Sequence, residues 1–293
     1  MSDKDIRVTV FTPTYNRAYI LSNLYESLTR QTCKDFEWLI VDDGSTDETE
    51  SLVSSWIEKE SGFIINYVKQ PNGGKCRAIN RGLDLARGEL FFTIDSDDYL
   101  TDDAVQKIME WASDLPSSGN YCGFAANRGY DSEHTVNTLF EGEYFEGDML
   151  DIYHNVDGER AYIFYTDVHK KYKYPEFEGE KFMTEAVAWN RMAHDGYKMR
   201  FYNDIIWIFE YLQDGLTKAG SKLFIDNPHG YALWLKEKTM FLGAGFREMM
   251  MFYYSMYTEL CPFYDDPVIA ECLQTNRLTV AFCKLVYKIK HRK

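Results

Sequence analysis

The first hundred residues alternate between two hydrophobic patterns. Short β-rich apolar runs predict strands at 7–11, 36–41, 64–68 and 90–94. Between them, apolar residues recur at helical spacing and predict helices at 19–29, after a cap at Ser45 or Thr46, at 76–86 and at 102–115. Repeated strand–helix–strand units predict an α/β fold: a Rossmann-like, mostly parallel sheet flanked by helices.

The fourth predicted strand, Leu90 to Ile94, is apolar throughout and runs directly into Asp95, Asp97 and Asp98. A continuous apolar run is typical of a strand buried on both faces. Carboxylates this close raise one another's pKa, and a divalent cation relieves their repulsion. The cluster therefore favours a metal site, although its last two acids can also simply begin a loop before the next helix.

Polar clusters follow each of the four predicted strands. They lie at 12–17, 42–45, 72–75 and 95–98. In parallel sheets flanked by helices, ligands bind beyond the carboxyl ends of the strands. We therefore expect the four clusters to converge on one site.

The later chain alternates less regularly. Strands are predicted at 121–126, 162–165, 199–202 and 205–209, with a hairpin and loops over 131–157 and a loop at 170–177. Beyond about residue 218 the pattern is helical, with a helix break at 243–248 and caps at Asn227-Pro228 and Asp266-Pro267. A last helix is predicted from Val268 to about Ile289.

Glu185 begins a predicted helix that continues to about Ala193. It precedes Trp189 by four residues and Met192 by seven, which places it on the apolar face of that helix. An acid on such a face is unusual. It is either a cap or core-edge ion pair, or a base that faces a pocket.

Composition excludes several classes of protein. The chain has 293 residues, 32 Lys and Arg, 46 Asp and Glu and a formal net charge of −14, which argues against a nucleic-acid binder. Its six cysteines are widely spaced without a C-x-x-C pair, the N-terminus resembles no signal peptide, and no apolar run could span a bilayer. These features predict a cytoplasmic protein with reduced thiols.

The charge is unevenly distributed, because residues 277–293 contain six Lys or Arg and no acid. Leu278, Phe282, Leu285, Val286 and Ile289 fall on one side of the predicted last helix. A basic amphipathic terminus can lie on an anionic membrane, here the inner face of the plasma membrane. The alternative is a helix packed on its own domain with a solvated basic end.

The strand-end motifs resemble those of the family 2 glycosyltransferases, which have the A-type glycosyltransferase fold. The matching motifs are Thr12-Pro13-Thr14-Tyr15-Asn16-Arg17, Asp42-Asp43-Gly44-Ser45, Asn72-Gly73-Gly74-Lys75 with Asn80, and Asp95-Ser96-Asp97-Asp98. The resemblance is specific over about 6–115, weaker over 160–217 and absent beyond. It implies a catalytic domain over 1–217, with a nucleotide-sugar-binding half at 1–115 and an acceptor-binding half at 116–217, and a helical region at 218–293.

The resemblance implies transfer of a sugar from a nucleoside diphosphate donor, most often a UDP-sugar, with inversion and with Mn²⁺ or Mg²⁺. The implied acceptor is a glycan or a lipid-linked molecule, as in polysaccharide biosynthesis. The sequence names neither the sugar, nor the acceptor, nor the linkage, and it leaves open whether the chain forms a homo-oligomer.

The same resemblance assigns roles to individual residues. The implied base pocket is lined by residues of the first motif: Thr12, Pro13 and Tyr15, with Arg17 in the same motif. Asp43 or Asp42 would recognise the base. Lys75 and Asn80 would lie near the nucleoside or the phosphates, and Ser96 lies within the D-x-D motif. Asp97 would bind the metal, and Asp95 would be shared between metal and ribose. Asp98 has no firm assignment.

Glu185 falls where the family places its general base. The family often has a Glu-Asp pair there, whereas this chain has Thr184-Glu185, and Glu180 is a rival for the role. Two other functions remain to be weighed: a sugar-phosphate nucleotidyltransferase, and a non-catalytic nucleotide-sugar or glycan-binding protein. The first normally needs a glycine-rich basic loop after the first strand, which is absent here, and the intact acids disfavour the second.

Overall fold

The structure, a computed structural model, describes residues 6–59, 61–116, 119–150, 159–209 and 220–291. In the first part of the chain, strands and helices alternate in this order: β1 (Val8–Thr14), α1 (Leu21–Arg30), β2 (Phe36–Asp42), α2 (Thr49–Ile57), β3 (Ile64–Lys69), α3 (Lys75–Leu85), β4 (Leu90–Thr93), β5 (Tyr99–Leu100) and α4 (Ala104–Asp114). The predicted alternation is confirmed.

The second part begins with strands and ends with helices. Its elements are β6 (Tyr121–Gly129), β7 (Tyr144–Gly147), β8 (Arg160–Tyr165), α5 (Thr166–His169), a 3₁₀ turn (Lys170–Tyr172), α6 (Ala186–His194), β9 (Lys198–Ile208), α7 (Ser221–Ile225), α8 (Pro228–Phe241), α9 (Phe246–Leu260), α10 (Asp266–Cys272) and α11 (Arg277–Lys290). The predicted boundary near residue 217 lies outside the described residues.

Within those described ranges, nine strands form one mixed sheet in the order β3-β2-β1-β4-β8-β6-β9-β5, with β7 also paired to β9. The first four strands of that order pair in parallel. β8 then runs antiparallel to both β4 and β6, and β6 runs parallel to β9. The described residues therefore form an α/β fold with a helical C-terminal region, as the sequence predicted.

β1 and β4 are buried on both faces because each face packs against its own core. Val10 and Phe92 belong to the core that includes α1, α2 and α4, whereas Phe11 and Phe91 belong to the core that includes α3 and α6. A third core holds the C-terminal helices together. Alternate residues of β1 and β4 therefore pack into opposite layers, and the two layers hold these central strands in place.

Three predicted elements differ from the structure. The two strands predicted between Met199 and Phe209 are one strand, β9, which continues through Asn203 and Asp204. The polar pair suggested a turn, but β9 pairs with β6 on one side and with β7 on the other, and this pairing keeps it extended. Sequence periodicity does not report such long-range pairing.

The predicted last helix is two helices, α10 and α11. Gln274 between them adopts a left-handed conformation (φ 47°), and Asn276 caps α11 by accepting a hydrogen bond from the Thr279 amide at 2.9 Å. The apolar spacing continues across the break, so periodicity alone predicted one helix. Asp265, rather than Asp266, caps α10.

The predicted cap at Ser45 or Thr46 is also wrong. α2 begins at Thr49, whose amide donates to the carboxylate of Asp47 at 3.1 Å. Ser45 instead accepts a hydrogen bond from the Asn16 amide at 2.8 Å, and therefore joins the loop after β2 to the loop after β1. Of the irregular segment predicted at 131–157, residues 151–157 lie outside the described part.

Candidate functional site

Lys75 is the centre of the candidate site. It is the first residue of α3, and its ammonium lies 2.6 Å from Oδ1 of Asp95 and 2.8 Å from Oε1 of Glu185. One cation therefore joins the loop after β4 to the start of α6. The two carboxylate oxygens are consequently no more than about 5.4 Å apart.

The ion pairs set the charge states of this group. Burial disfavours ionisation of Asp95, but the Lys75 ammonium, together with Arg128 and Arg17, keeps the pKa of that carboxyl below its usual value. Burial likewise disfavours the charged form of Lys75, and Asp95 and Glu185 together raise its pKa above the ordinary value. The site thus holds a stable ammonium between two acids.

Asp97 has a different environment. Its carboxylate lies 3.8 Å from the guanidinium of Arg17, which comes from the loop after β1. Burial and the neighbouring charge of Asp95 raise the pKa of Asp97. A carboxyl whose ionisation is opposed by a like charge is suited to a site where a cation binds.

Asp98 is a structural anchor. Its Oδ2 accepts hydrogen bonds from Arg128 at 2.9 Å and from the indole N–H of Trp207 at 2.7 Å. The Arg128 guanidinium also lies over the Trp207 ring, 4.5 Å from its centroid. Asp98 therefore ties the loop after β4 to β6 and β9, and the sequence analysis missed both partners because they lie far along the chain.

Asp43 shapes the turn that precedes Lys75. Its carboxylate accepts hydrogen bonds from the amides of Gly73 and Gly74, at 2.7–3.1 Å, and from the side chain of Gln70 at 2.8 Å. Gly74 has a φ of 93°, and a Cβ there would lie 1.7 Å from the carbonyl oxygen of Lys181. The turn therefore requires glycine, and its amides need the acid.

Two residues expected to line the donor site are fully buried. The Thr12 hydroxyl accepts a hydrogen bond from the indole of Trp38 at 3.0 Å. Asp42 accepts hydrogen bonds from the amide of Ser45 and the hydroxyl of Tyr67. Both side chains therefore support the strand ends from inside, which corrects their expected place in the lining.

The tip of the loop after β1 is accessible. Tyr15 is 48% exposed, and Pro13, near the end of β1, is partly exposed. Asn16 adopts a left-handed conformation (φ 54°), and its side chain accepts a hydrogen bond from the Thr46 amide at 2.8 Å. The exposed ring of Tyr15 therefore lies on a loop that hydrogen bonds to the loop after β2 hold in place.

Asn80 bonds to the segment before α6 and not to the ion-paired group. The side chain of Asn80 exchanges hydrogen bonds with the backbone of Tyr174, at 2.9 Å in both directions. Ser96, which separates Asp95 from Asp97 in the sequence, is buried. Asn80 therefore fixes the segment before α6 rather than pointing at Lys75.

Glu180, the rival to Glu185, has a structural role. It is buried, and its carboxylate accepts hydrogen bonds from the amides of His229 (2.7 Å) and Gly230 (2.9 Å) and contacts Nδ1 of His229. These amides are at the N-terminus of α8, where a negative charge is favourable. Glu180 thus caps α8, and Glu185 is the acid beside Lys75.

The residues present are compatible with a divalent cation. Within the part of the chain that the structure describes, no three His, Cys, Asp or Glu side chains form a ready metal site. Mg²⁺ in particular is usually held by one or two carboxylates together with substrate phosphates. Asp95 and Asp97 supply that number of carboxylates and the oxygen ligands that Mg²⁺ and Mn²⁺ prefer.

Solved structures share this fold. Residues 1–349 of S. aureus TarS in complex with UDP-GlcNAc superpose with a TM-score of 0.61 at 15% identity, covering 98% of this chain and 93% of that TarS chain. The mannosyltransferase PcManGT from Pyrobaculum calidifontis, in complex with GDP-Man and Mn²⁺, gives 0.56 at 18% identity over 99% of this chain and 77% of that one. At these identities the likeness establishes the fold.

Sequence comparison gives the family. Glycosyltransferase GlyA of Streptococcus pneumoniae is 28% identical over 66% of this chain, and the GalNAc(5)-diNAcBac-PP-undecaprenol beta-1,3-glucosyltransferase of Campylobacter jejuni is 32% identical over 48%. The matched segments are 27% and 44% of those proteins, so the chain spans less than half the length of either. The sequence model of the family "Glycosyl transferase family 2" matches residues 9–181, more than half of the chain. This chain therefore belongs to glycosyl transferase family 2.

Proposed function

We propose that this chain transfers a sugar, with inversion, from a UDP-sugar to a hydroxyl group of a glycan or a lipid-linked glycan. The observation that supports this most strongly is the pairing of one ammonium, that of Lys75, with both Asp95 and Glu185. It brings Asp95 of the D-x-D motif and Glu185 at the start of α6 within reach of the same ammonium group. Donor activation and acceptor deprotonation need such a neighbourhood.

The donor would lie across the carboxyl ends of β1, β2 and β4. Pro13 and Tyr15 offer a partly apolar, accessible surface on which a base can stack. The diphosphate would then lie beside Arg17 and Lys75, whose charges offset its own. Recognition of a uracil N–H by Asp43 stays a prediction, because the structure shows this acid bonded to the turn at 73–74.

Two solved structures with the same fold contain a nucleoside diphosphate sugar, the class of donor proposed here. TarS is described in complex with UDP-GlcNAc and PcManGT with GDP-Man and Mn²⁺. The undecaprenol-linked substrate in the name of the Campylobacter jejuni relative is compatible with a lipid-linked acceptor. Our choice of UDP, and of this acceptor class, extends these observations to the present chain.

Asp97 would hold Mg²⁺ or Mn²⁺, with Asp95 shared between the cation and the ribose. Such a cation, when bound, offsets the negative charge that develops on a leaving diphosphate. Asp97 is the better first ligand because Asp95 is already neutralised by Lys75, whereas Asp97 lies 3.8 Å from its nearest cation, Arg17. The role of the protein is to keep these two acids oriented.

Glu185 would act as the general base. Its carboxylate takes the proton of the acceptor hydroxyl while that oxygen bonds to the anomeric carbon and the bond from this carbon to the diphosphate breaks. The nucleoside diphosphate leaves with the electron pair of the broken bond. One displacement without a protein nucleophile inverts the anomeric centre, and such a base contributes on the order of 10²–10⁴-fold in rate.

The experiment is a hydrolysis and transfer screen of the purified chain against UDP-, GDP- and dTDP-sugars, with and without Mn²⁺. We expect metal-dependent release of UDP from one UDP-sugar, and its loss in Asp97→Asn. Asp102→Asn, an exposed acid paired with Arg30, is the matched control and should retain activity. Release of pyrophosphate would indicate a nucleotidyltransferase, and saturable donor binding without any turnover would indicate a non-catalytic protein; either contradicts the proposal.

A further inference from the structure

The last helix, α11, exposes a row of large apolar side chains. Leu278, Phe282, Leu285 and Ile289 follow one another at helical spacing and are between 53% and 81% exposed. Their positions fall within a narrow sector of the helix surface, so they form one continuous stripe. An exposed apolar stripe of this length on a folded helix indicates an interaction surface.

The opposite side of α11 is packed on the protein. Val280 and Cys283 are buried in the C-terminal core, and Tyr287 contacts the ring of Tyr257 on α9, 6.1 Å between centroids. Lys284 forms an ion pair with Asp266 at 2.6 Å. The helix is therefore firmly attached by one face, and the stripe is a second apolar face that this core does not use.

Basic side chains border the stripe. Arg277 and Lys288 lie along one flank of the stripe, on the same side as the ion-paired Lys284, and Lys290 lies on the other flank above the ring of Tyr254. No acid occurs from residue 277 onward, although the chain as a whole has a net charge of −14. The local charge is thus opposite to that of the rest of the molecule.

We propose that this stripe and its basic flanks dock on an anionic lipid surface, with α11 lying in the plane of the interface. The helix has 14 residues and is about 21 Å long at ~1.5 Å per residue, too short to cross a hydrocarbon core of about 30 Å. No helix in the described ranges is long and apolar enough to span a membrane. Apolar residues facing one way with cations beside them are the pattern of an interfacial helix.

A second copy of this chain is a poorer occupant of the same surface. In a symmetric dimer the stripe would face its own copy, and Arg277 and Lys288 would approach the same residues of the partner. That brings like charges together at the rim, whereas lipid phosphates carry the complementary charge. Charge therefore selects the membrane.

The test is cosedimentation of the purified chain with vesicles of phosphatidylcholine alone or mixed with phosphatidylglycerol, without any sugar donor. We expect binding only to the mixed vesicles. Phe282→Ser with Leu285→Ser should weaken it by at least about tenfold, because apolar surface no longer enters the interface. Arg277→Glu with Lys288→Glu should weaken it by more than about fivefold per residue and reduce its salt dependence.

The matched control is Ile57→Ser with Lys59→Glu, an exposed apolar and basic pair at the C-terminal end of α2. It should bind vesicles as the unaltered chain does, and thermal unfolding should show that all variants remain folded. Equal binding to both vesicle types, or no binding to either, would overturn the proposal. So would a dimer in sedimentation velocity that the Phe282→Ser and Leu285→Ser pair dissociates. Because no donor is present, the result is independent of the proposed activity.

Discussion

Glu185 and Asp95 bind the same ammonium group, that of Lys75, although one begins α6 and the other follows β4. The first belongs to the half of the chain where the family resemblance is weak and the second to the half where it is strong. The shared contact with Lys75 holds the proposed base, Glu185, at a set distance from Asp95 in the proposed donor site. Substitutions at Glu185 and at Lys75, the partner of Asp95, can therefore separate the role of the base from that of the donor site.

Glu185→Gln should reduce transfer by about 10²–10⁴-fold and leave donor binding nearly unchanged, because the amide cannot accept the acceptor proton. Single-turnover transfer rates and equilibrium binding of the UDP-sugar in the presence of Mn²⁺ measure the two effects separately. Near-normal turnover in this variant would show that the base has been assigned to the wrong residue.

Glu180→Ala should affect stability rather than chemistry. The substitution leaves the amides of His229 and Gly230 without their acceptor at the start of α8, and such losses cost about 1–3 kcal/mol. Urea unfolding measures the change, and transfer by the remaining folded protein should be normal. Glu178→Ala, at a neighbouring exposed acid, is the control and should change neither quantity. A folded Glu180→Ala protein without transfer activity would restore Glu180 as the candidate base.

Lys75→Met should change the pH dependence of activity. Lys75 lowers the pKa of Asp95, so its removal raises that pKa, and the ionised form is then lost at a higher pH as the solution is acidified. The acid limb of kcat/KM should therefore move to higher pH, with weaker donor binding throughout. Lys181→Met removes a lysine that pairs with Asn72 rather than with an acid, and its profile should match that of the unaltered chain. An unmoved acid limb in Lys75→Met would exclude this coupling.

The parallel part of the sheet was predictable because local pattern and long-range pairing agree there. The predicted strands 36–41 and 64–68 match β2 and β3 to within one residue at either end, because β-branched and aromatic residues predominate in both segments and a polar loop follows each. β9 was divided in two because Asn203 and Asp204 are polar, and only its pairing with β6 and β7 keeps that stretch extended.

The candidate site was predictable as a set of residue types and less so as a set of contacts. The sequence placed Asp95, Lys75 and Glu185 in separate motifs, and the structure joins them through one ammonium. Thr12 and Asp42 occupy the predicted strand ends, but their side chains point into the protein, because successive residues of a strand alternate between faces. Neither direction nor partner can be derived until the register of the strands is known.

His169 gives a last prediction, about stability below neutral pH. It is buried against Phe164 and Tyr174, and its Nδ1 has no hydrogen-bond partner within the described residues. Burial lowers its pKa to about 3, whereas the unfolded chain has a histidine pKa of about 6.5. Between these values the unfolded state binds a proton that the folded state does not, so stability falls as pH decreases.

At pH 5.5 this difference should cost about 1.4 kcal/mol of the free energy of unfolding relative to pH 8. Urea unfolding at both pH values measures the loss, and His169→Gln should reduce it by that amount whatever its own stability, because glutamine does not titrate. His291→Gln, at an exposed histidine, should leave the pH dependence close to that of the unaltered chain. If His169→Gln loses as much stability on acidification as the unaltered chain, the buried imidazole is not the group that titrates on unfolding.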